Sequence, residues 1–145
     1  MQDTITRSTR IRADIERVWD ALTTAEGIRR WFGDQAEIDL RPGGEAHFGW
    51  TEYGSSNHAI VVAVERPTHF SYRWSATGAE RADTGPSTLV EFTLAETAGG
   101  TDVTVVESGF ASLPAETIEQ NLRENTAGWK AEMQDLVEYL EAATT

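Results

Sequence analysis

"IEQNLRENTAGWKAEMQDLVEYL", residues 118–140, decides how this chain is built. Ile118, Leu122, Trp129, Met133, Leu136 and Leu140 recur at helical spacing and lay one apolar stripe along a helix of about 25 residues. Pro114 suits the turn that starts it. A long helix with a single apolar stripe has to be covered by something else. Two positions depart from the stripe. Where an apolar residue would fall between Leu122 and Trp129, the chain has Asn125 or Thr126. A polar Asn125 there either meets water at the edge of the stripe or needs a partner or a cavity. Gly128 costs a helix interior about 1 kcal/mol relative to alanine, which close approach or open volume would explain.

The residues before the helix supply the covering surface. "TITRSTRI" (4–11) reads as a strand with Ile5, Thr9 and Ile11 on one parity. "DIERVWDALTT" (14–24) reads as a helix capped by Asp14, with Ile15, Val18, Trp19 and Leu22 on its inner side. A second short helix is expected from Thr24 or Ala25 to about Trp31. It turns Ile28 and Trp31 or Phe32 inward and Arg29 and Arg30 toward solvent, with Gly33 as its stop.

The pattern then becomes β. "AEIDL" (36–40) is a short strand, "RPGG" (41–44) a turn, and "EAHFGWTEY" (45–53) a strand with Ala46, Phe48 and Trp50 on one face. "YGSSN" (53–57) reads as a hairpin loop. "HAIVVAVE" (58–65) is apolar on both parities and cannot be phased. "HFSYRWS" (69–75) and "STLVEFTLAE" (87–96) alternate cleanly, and "SATGAERADTGPS" (75–87) between them is the longest loop, expected to be mobile. "TAGGT" (97–101) turns into the strand "TDVTVVESGF" (101–110). The sum is one α+β domain over residues 1–145: a curved antiparallel sheet of six or seven strands around the C-terminal helix, with two short helices after the first strand.

Composition narrows the function. The 145 residues carry a formal net charge of −12, and Lys130 is the only lysine. So acidic a surface repels phosphate, which disfavours nucleic acid and anionic membranes as partners. With no cysteine there are no disulfides and no thiolate metal sites. No apolar run approaches the ~18 residues of a membrane span, and "MQDTITRSTR" lacks a signal core, so a cytoplasmic protein is expected. The oligomeric state stays open.

Five segments in register carry a resemblance: "IRADIERVWDALTTAEGIRRWFG" (11–33), "RPGGEAHF" (41–48), "ERPTHFSYRW" (65–74), "GGTDVTVVESGF" (99–110) and "NTAGWKAEMQDLVEYLE" (125–141). Together they resemble the SRPBCC or START-like superfamily, in the branch similar to the activator of heat-shock-protein-90 ATPase. The resemblance implies a helix-grip fold with a cavity between sheet and helix. Its relatives bind lipids, hormones or polyketides, cyclise polyketides, sequester reactive natural products or assist a chaperone. A chaperone link is therefore one implied partner, although activation is expected to need a further domain.

The candidate residues follow from that frame. Trp31, Phe32, Phe48, Trp50, Phe70, Tyr72, Trp74, Phe92, Phe110 and Trp129 exceed what a small core needs. They either interlock or line a cavity for a flat or hydrophobic ligand. Trp31 and Phe32 are candidates for its lid. Parity carries Glu107 inward with Val103 and Val105, where it acts as an acid or base or pairs with Arg73 or Arg123. His47 and His69 oppose the parity of their aromatic neighbours, whereas His58 could point inward. No paired-histidine spacing, GxSxG or phosphate loop is present, so neither a metal nor another cofactor is expected. The leading reading is a binder of a small hydrophobic or aromatic molecule. The alternative is a cyclase-like or hydrolytic enzyme using Glu107, His58, Tyr72 or Arg73.

Overall fold

The computed structural model describes residues 3–78 and 80–142. Strand β1 (Thr4–Ile11) is followed by helices α1 (Ile15–Thr23) and α2 (Ala25–Trp31). Six strands come next: β2 (Gln35–Ile38), β3 (Glu45–Trp50), β4 (Ser55–Glu65), β5 (His69–Ser75), β6 (Ser87–Thr97) and β7 (Gly100–Ser108). Helix α3 (Ile118–Ala142) closes the described chain. The strands form one curved antiparallel sheet in the order β1-β7-β6-β5-β4-β3-β2. From β2 to β7 each strand pairs with the next in sequence, and β1 joins the far edge by pairing with β7. The α1–α2 segment therefore has to bridge the two edges of the sheet.

Local chemistry explains that bridge. The Asp14 carboxylate accepts the Arg17 amide at 3.0 Å and caps α1, while the Thr24 hydroxyl accepts the Gly27 amide at 3.0 Å and caps α2. Ile15, Val18, Trp19, Leu22, Ile28 and Trp31 are buried, and Arg29 and Arg30 are exposed, as the spacing requires. Gly33 follows the helix end for a steric reason, not a conformational one. A Cβ there would lie 2.6 Å from the Gly49 carbonyl oxygen, so α2 and β3 can approach only without one.

Two boundaries differ from the sequence expectation. β3 stops at Trp50, because Thr51–Tyr53 form a 3-10 turn ended by Gly54 in the left-handed region (φ 61). β4 therefore starts at Ser55, earlier than a loop through Asn57 would allow. The unphased stretch of β4 has a physical cause: the register to β5 shifts between Val61 and Ala63. Such a bulge lets both parities be apolar, and Val62 is left 44% exposed.

The stripe of α3 lies on the concave face of the sheet. Trp129, Met133, Leu136 and Leu140 join one core with Val90, Phe92, Leu94, Val103 and Val105 from β6 and β7. Leu136 has no exposed surface. Truncating it to alanine should destabilise the protein by about 2–5 kcal/mol, measured by urea denaturation, with the fold intact by circular dichroism. A loss below about 1 kcal/mol would place α3 loosely on the sheet.

Candidate functional site

The core is not filled at the N-terminal half of α3. A cavity of about 180 Å³ lies between helix and sheet, lined by Phe32, Trp50, Trp74, Glu107, Asn125, Gly128, Trp129 and Glu132. Glu107 and Trp129 are buried, while Phe32, Trp50, Trp74, Asn125, Gly128 and Glu132 are half-buried. The first two are thus the floor and the rest the walls and mouth. An apolar cavity of about 150 Å³ admits benzene, so this one has room for a single ring with small substituents. A larger depression of about 490 Å³ runs past Arg12, Asp14, Arg17 and Glu96, but its walls hold no aromatic side chain. The smaller cavity is the better fit to an organic ligand.

Strand parity builds the sheet side. Trp74 lies opposite Ala59 and Thr88, and Glu107 lies opposite Val90 and Ile5, so these side chains share the concave face. Phe32 sits amid three indoles, with ring centroids 5.3 Å from Trp50, 5.8 Å from Trp74 and 6.2 Å from Trp129. The Trp50 indole N–H donates to the Phe32 carbonyl oxygen at 2.7 Å, which ties the end of α2 to β3.

Glu107 is 1% exposed and has no cationic partner among the described residues. It accepts hydrogen bonds instead: from Asn125 Nδ2 at 3.0 and 3.2 Å, from the Trp129 indole N–H at 2.9 Å, and from the Thr88 hydroxyl. The two arginines that sequence offered it lie elsewhere. Arg73 is on the opposite parity from Trp74 and donates to the Ser87 hydroxyl, and Arg123 is exposed beside Glu119. Burial raises the Glu107 carboxyl above its ordinary value, against the pull of its three donors.

Glu132 is the second carboxyl and lacks such support. It forms no hydrogen bond among the described residues, and its Oε2 is fully buried. Burial, with a contribution from Asp135, pushes it from an ordinary 4.5 up to about 8. The buried Tyr72 hydroxyl behind the wall is pushed well above its ordinary range, first by burial and then by Glu107 and Glu132.

The structure brings Phe32, Trp50, Trp74, Glu107, Asn125 and Trp129 together and leaves the other candidates outside the lining. Phe48, Tyr72 and Phe92 form a second row behind it: Phe48 stacks on Trp74 at 5.7 Å, and Phe92 meets Trp129 edge-on at 5.7 Å. Trp31 turns away, its indole N–H donating to the Ala21 carbonyl oxygen at 2.7 Å. Phe110 packs into the core. Glu132 escaped the sequence reading because a glutamate on a helix reads as solvated. The signal was its spacing, one turn beyond Gly128 and Trp129 on the face that carries Asn125.

His58 is buried but faces the other way. It lies opposite His47 on the convex side, where its Nδ1 accepts the Ala82 amide at 2.9 Å and its Nε2 lies 2.9 Å from Glu45. Arg81 also donates to Glu45, so this cluster pins Arg81 and Ala82 onto the sheet. Glu45, His47 and His58 hold ligand-type atoms within 4.8 Å of one another, a grouping that cross-strand pairing creates and linear spacing hides. The amide bond to Nδ1 assigns the proton to Nε2, so His58 presents no free lone pair to a metal there.

Residues 12–141 match the family described as Activator of Hsp90 ATPase homolog 1-like protein. The chain belongs to this family. No curated protein is significantly similar to it. Among solved structures, MLL2253 from Mesorhizobium loti is 24% identical with a TM-score of 0.81, covering 96% of this chain and 97% of its own. DynU16, encoded in the dynemicin biosynthetic locus, is 25% identical with a TM-score of 0.79 over 99% of this chain, which spans 49% of that protein. The Aha1 dimer from Colwellia psychrerythraea is 18% identical with a TM-score of 0.76, covering 97% of each chain. These likenesses establish the helix-grip fold. No helix among the described residues is long and apolar enough to cross a membrane.

Two tests follow from the geometry. A Cβ on Gly128 would meet nothing within 4 Å, so Gly128→Ala should raise stability by about 0.5–1 kcal/mol in thermal or urea unfolding. Destabilisation would mean that the helix face is closed there. The raised Glu132 carboxyl holds a proton in the folded protein that the unfolded chain has already released. Its contribution is therefore complete below about 4.5 and is lost as pH rises through about 8. Urea midpoints should fall over this interval, and Glu132→Gln should flatten the decline.

Proposed function

We propose that this protein binds a small hydrophobic or aromatic molecule between the sheet and α3. The supporting observation is the cavity itself: three indoles and a phenyl ring line an open space between sheet and helix, and Gly128 keeps the helix wall clear. Cavities lined by aromatics with a few polar groups are the usual form of a small-molecule site. A relative encoded in a biosynthetic locus fits a natural-product ligand. A second reading rests on Glu132. A carboxyl at about 8 without a hydrogen-bond partner is suited to proton transfer near neutral pH, so a cyclase-like or hydrolytic step on a bound ring is the alternative. The likeness to an Aha1 protein makes a chaperone link a third. A cytoplasmic setting is compatible with each.

Titration with toluene, followed by NMR of the indole N–H signals, tests the first reading. Trp50 and Trp129 should shift, and Trp31, bonded at Ala21, should not. Gly128→Leu should fill the space and weaken binding at least about tenfold, the effect of losing about 1.4 kcal/mol. Uniform shifts, or binding that survives Gly128→Leu, would count against the site.

A further inference from the structure

The lining has an electrostatic character that its apolar area does not predict. Its ionisable groups are both acids, Glu107 and Glu132, and no lysine, arginine or histidine contributes to it. The chain as a whole carries a formal charge of −12, so its field also favours cations. The two acids differ in one decisive respect. Glu107 is saturated by Thr88, Asn125 and Trp129. Glu132 has a buried oxygen and nothing to bond to. Beside it stand the aromatic rings of Trp50, Trp74, Trp129 and Phe32, whose faces attract positive charge, tryptophan most strongly.

A neutral hydrocarbon would satisfy the rings and leave Glu132 stranded. An anion would face two carboxyls with no counter-charge. A neutral polar group, donor or acceptor, would satisfy Glu132 and make no use of the ring faces. An ammonium group on a small apolar body satisfies both. We infer that the ligand of this cavity is a small organic cation, an amine or quaternary ammonium carried on an apolar or aromatic body, held over the indole faces with its charge against Glu132. The inference rests on the proposed small-molecule role and narrows it to one chemical class.

The groups around Glu132 set the consequence. Asp135 on α3 acts on it, Glu107 on β7 shares its lining and the Tyr72 hydroxyl on β5 senses its charge, and none of the three can supply a positive charge at neutral pH. In the empty protein the Glu132 carboxyl therefore keeps its proton. A cation entering the site stabilises the carboxylate and displaces that proton into solvent. Binding becomes proton-coupled and tightens with rising pH, even for a ligand that cannot itself titrate.

Phenyltrimethylammonium and tert-butylbenzene make the test, since they share one shape and differ in charge. Both are titrated by calorimetry and indole NMR against the intact chain and against Glu132→Gln. The cation should bind at least about tenfold more tightly than the hydrocarbon, and its affinity should rise at least about tenfold from about pH 6 to about pH 9 with proton release. Glu132→Gln should cut the preference at least about fivefold and remove the pH dependence while hydrocarbon binding persists. If tert-butylbenzene binds as well as the cation, or if Glu132→Gln leaves the preference intact, the cation inference falls and the apolar cavity stands. If neither probe binds, both fall.

Discussion

The parity of β7 carries one carboxyl, that of Glu107, into the space between sheet and helix, where only hydrogen-bond donors can hold it. A buried acid without them costs several kcal/mol. Two of its three donors, Asn125 and Trp129, stand one turn apart on α3, so satisfying Glu107 fixes both the rotation and the axial position of the helix. The apolar stripe alone would tolerate a small slide, because leucine and methionine contacts have no direction. Hydrogen bonds do. Fixing the helix also fixes the Trp129 ring, and with it one wall of the cavity and the placement of Gly128 in its lining.

The aromatic side chains divide into two jobs once the helix is set. The inner row of Phe48, Tyr72 and Phe92 packs at van der Waals distance and gives the outer row a firm backing. In the outer row Phe32, Trp50 and Trp74 are left half-covered, and Trp129 lies buried beneath them. The indole N–H groups of Trp50 and Trp129 are already committed, to the Phe32 carbonyl and to Glu107. Neither ring has its donor free for a visitor. That commitment shapes selectivity as much as the volume does.

Much of this was legible in the chain. Alternation in β5, β6 and β7 placed Trp74, Phe92 and Glu107 on the inner face, and helical spacing placed Asn125 and Gly128 beside Trp129. What failed to read had local causes. The bulge between Val61 and Ala63 erased the period in β4. His58 is buried by a loop on the convex side, and burial without periodicity does not reveal a face. The split between lining and backing aromatics depends on how deep each strand sits, which alternation cannot report. Glu132 was hidden by its type: a glutamate on an acidic helix is normally wet, and here one of its oxygens is covered.

The strand order has a kinetic meaning as well. β2 to β7 can form by successive neighbouring hairpins, each closing a short loop. β1 is different. Its register sets Thr4 against Ser108, a pairing that must wait for most of the chain to be in place. Loop-closure entropy makes such a long-range contact slow relative to the hairpins. Phe32, three residues ahead of β2 and bonded through its carbonyl to Trp50, joins the sheet with the local β2–β3 hairpin. The opposite wall is the one that waits: Glu107 sits on β7 against Ile5 of β1, and Trp129 comes later still on α3, so the cavity is complete only when the longest-range contacts of the molecule have formed.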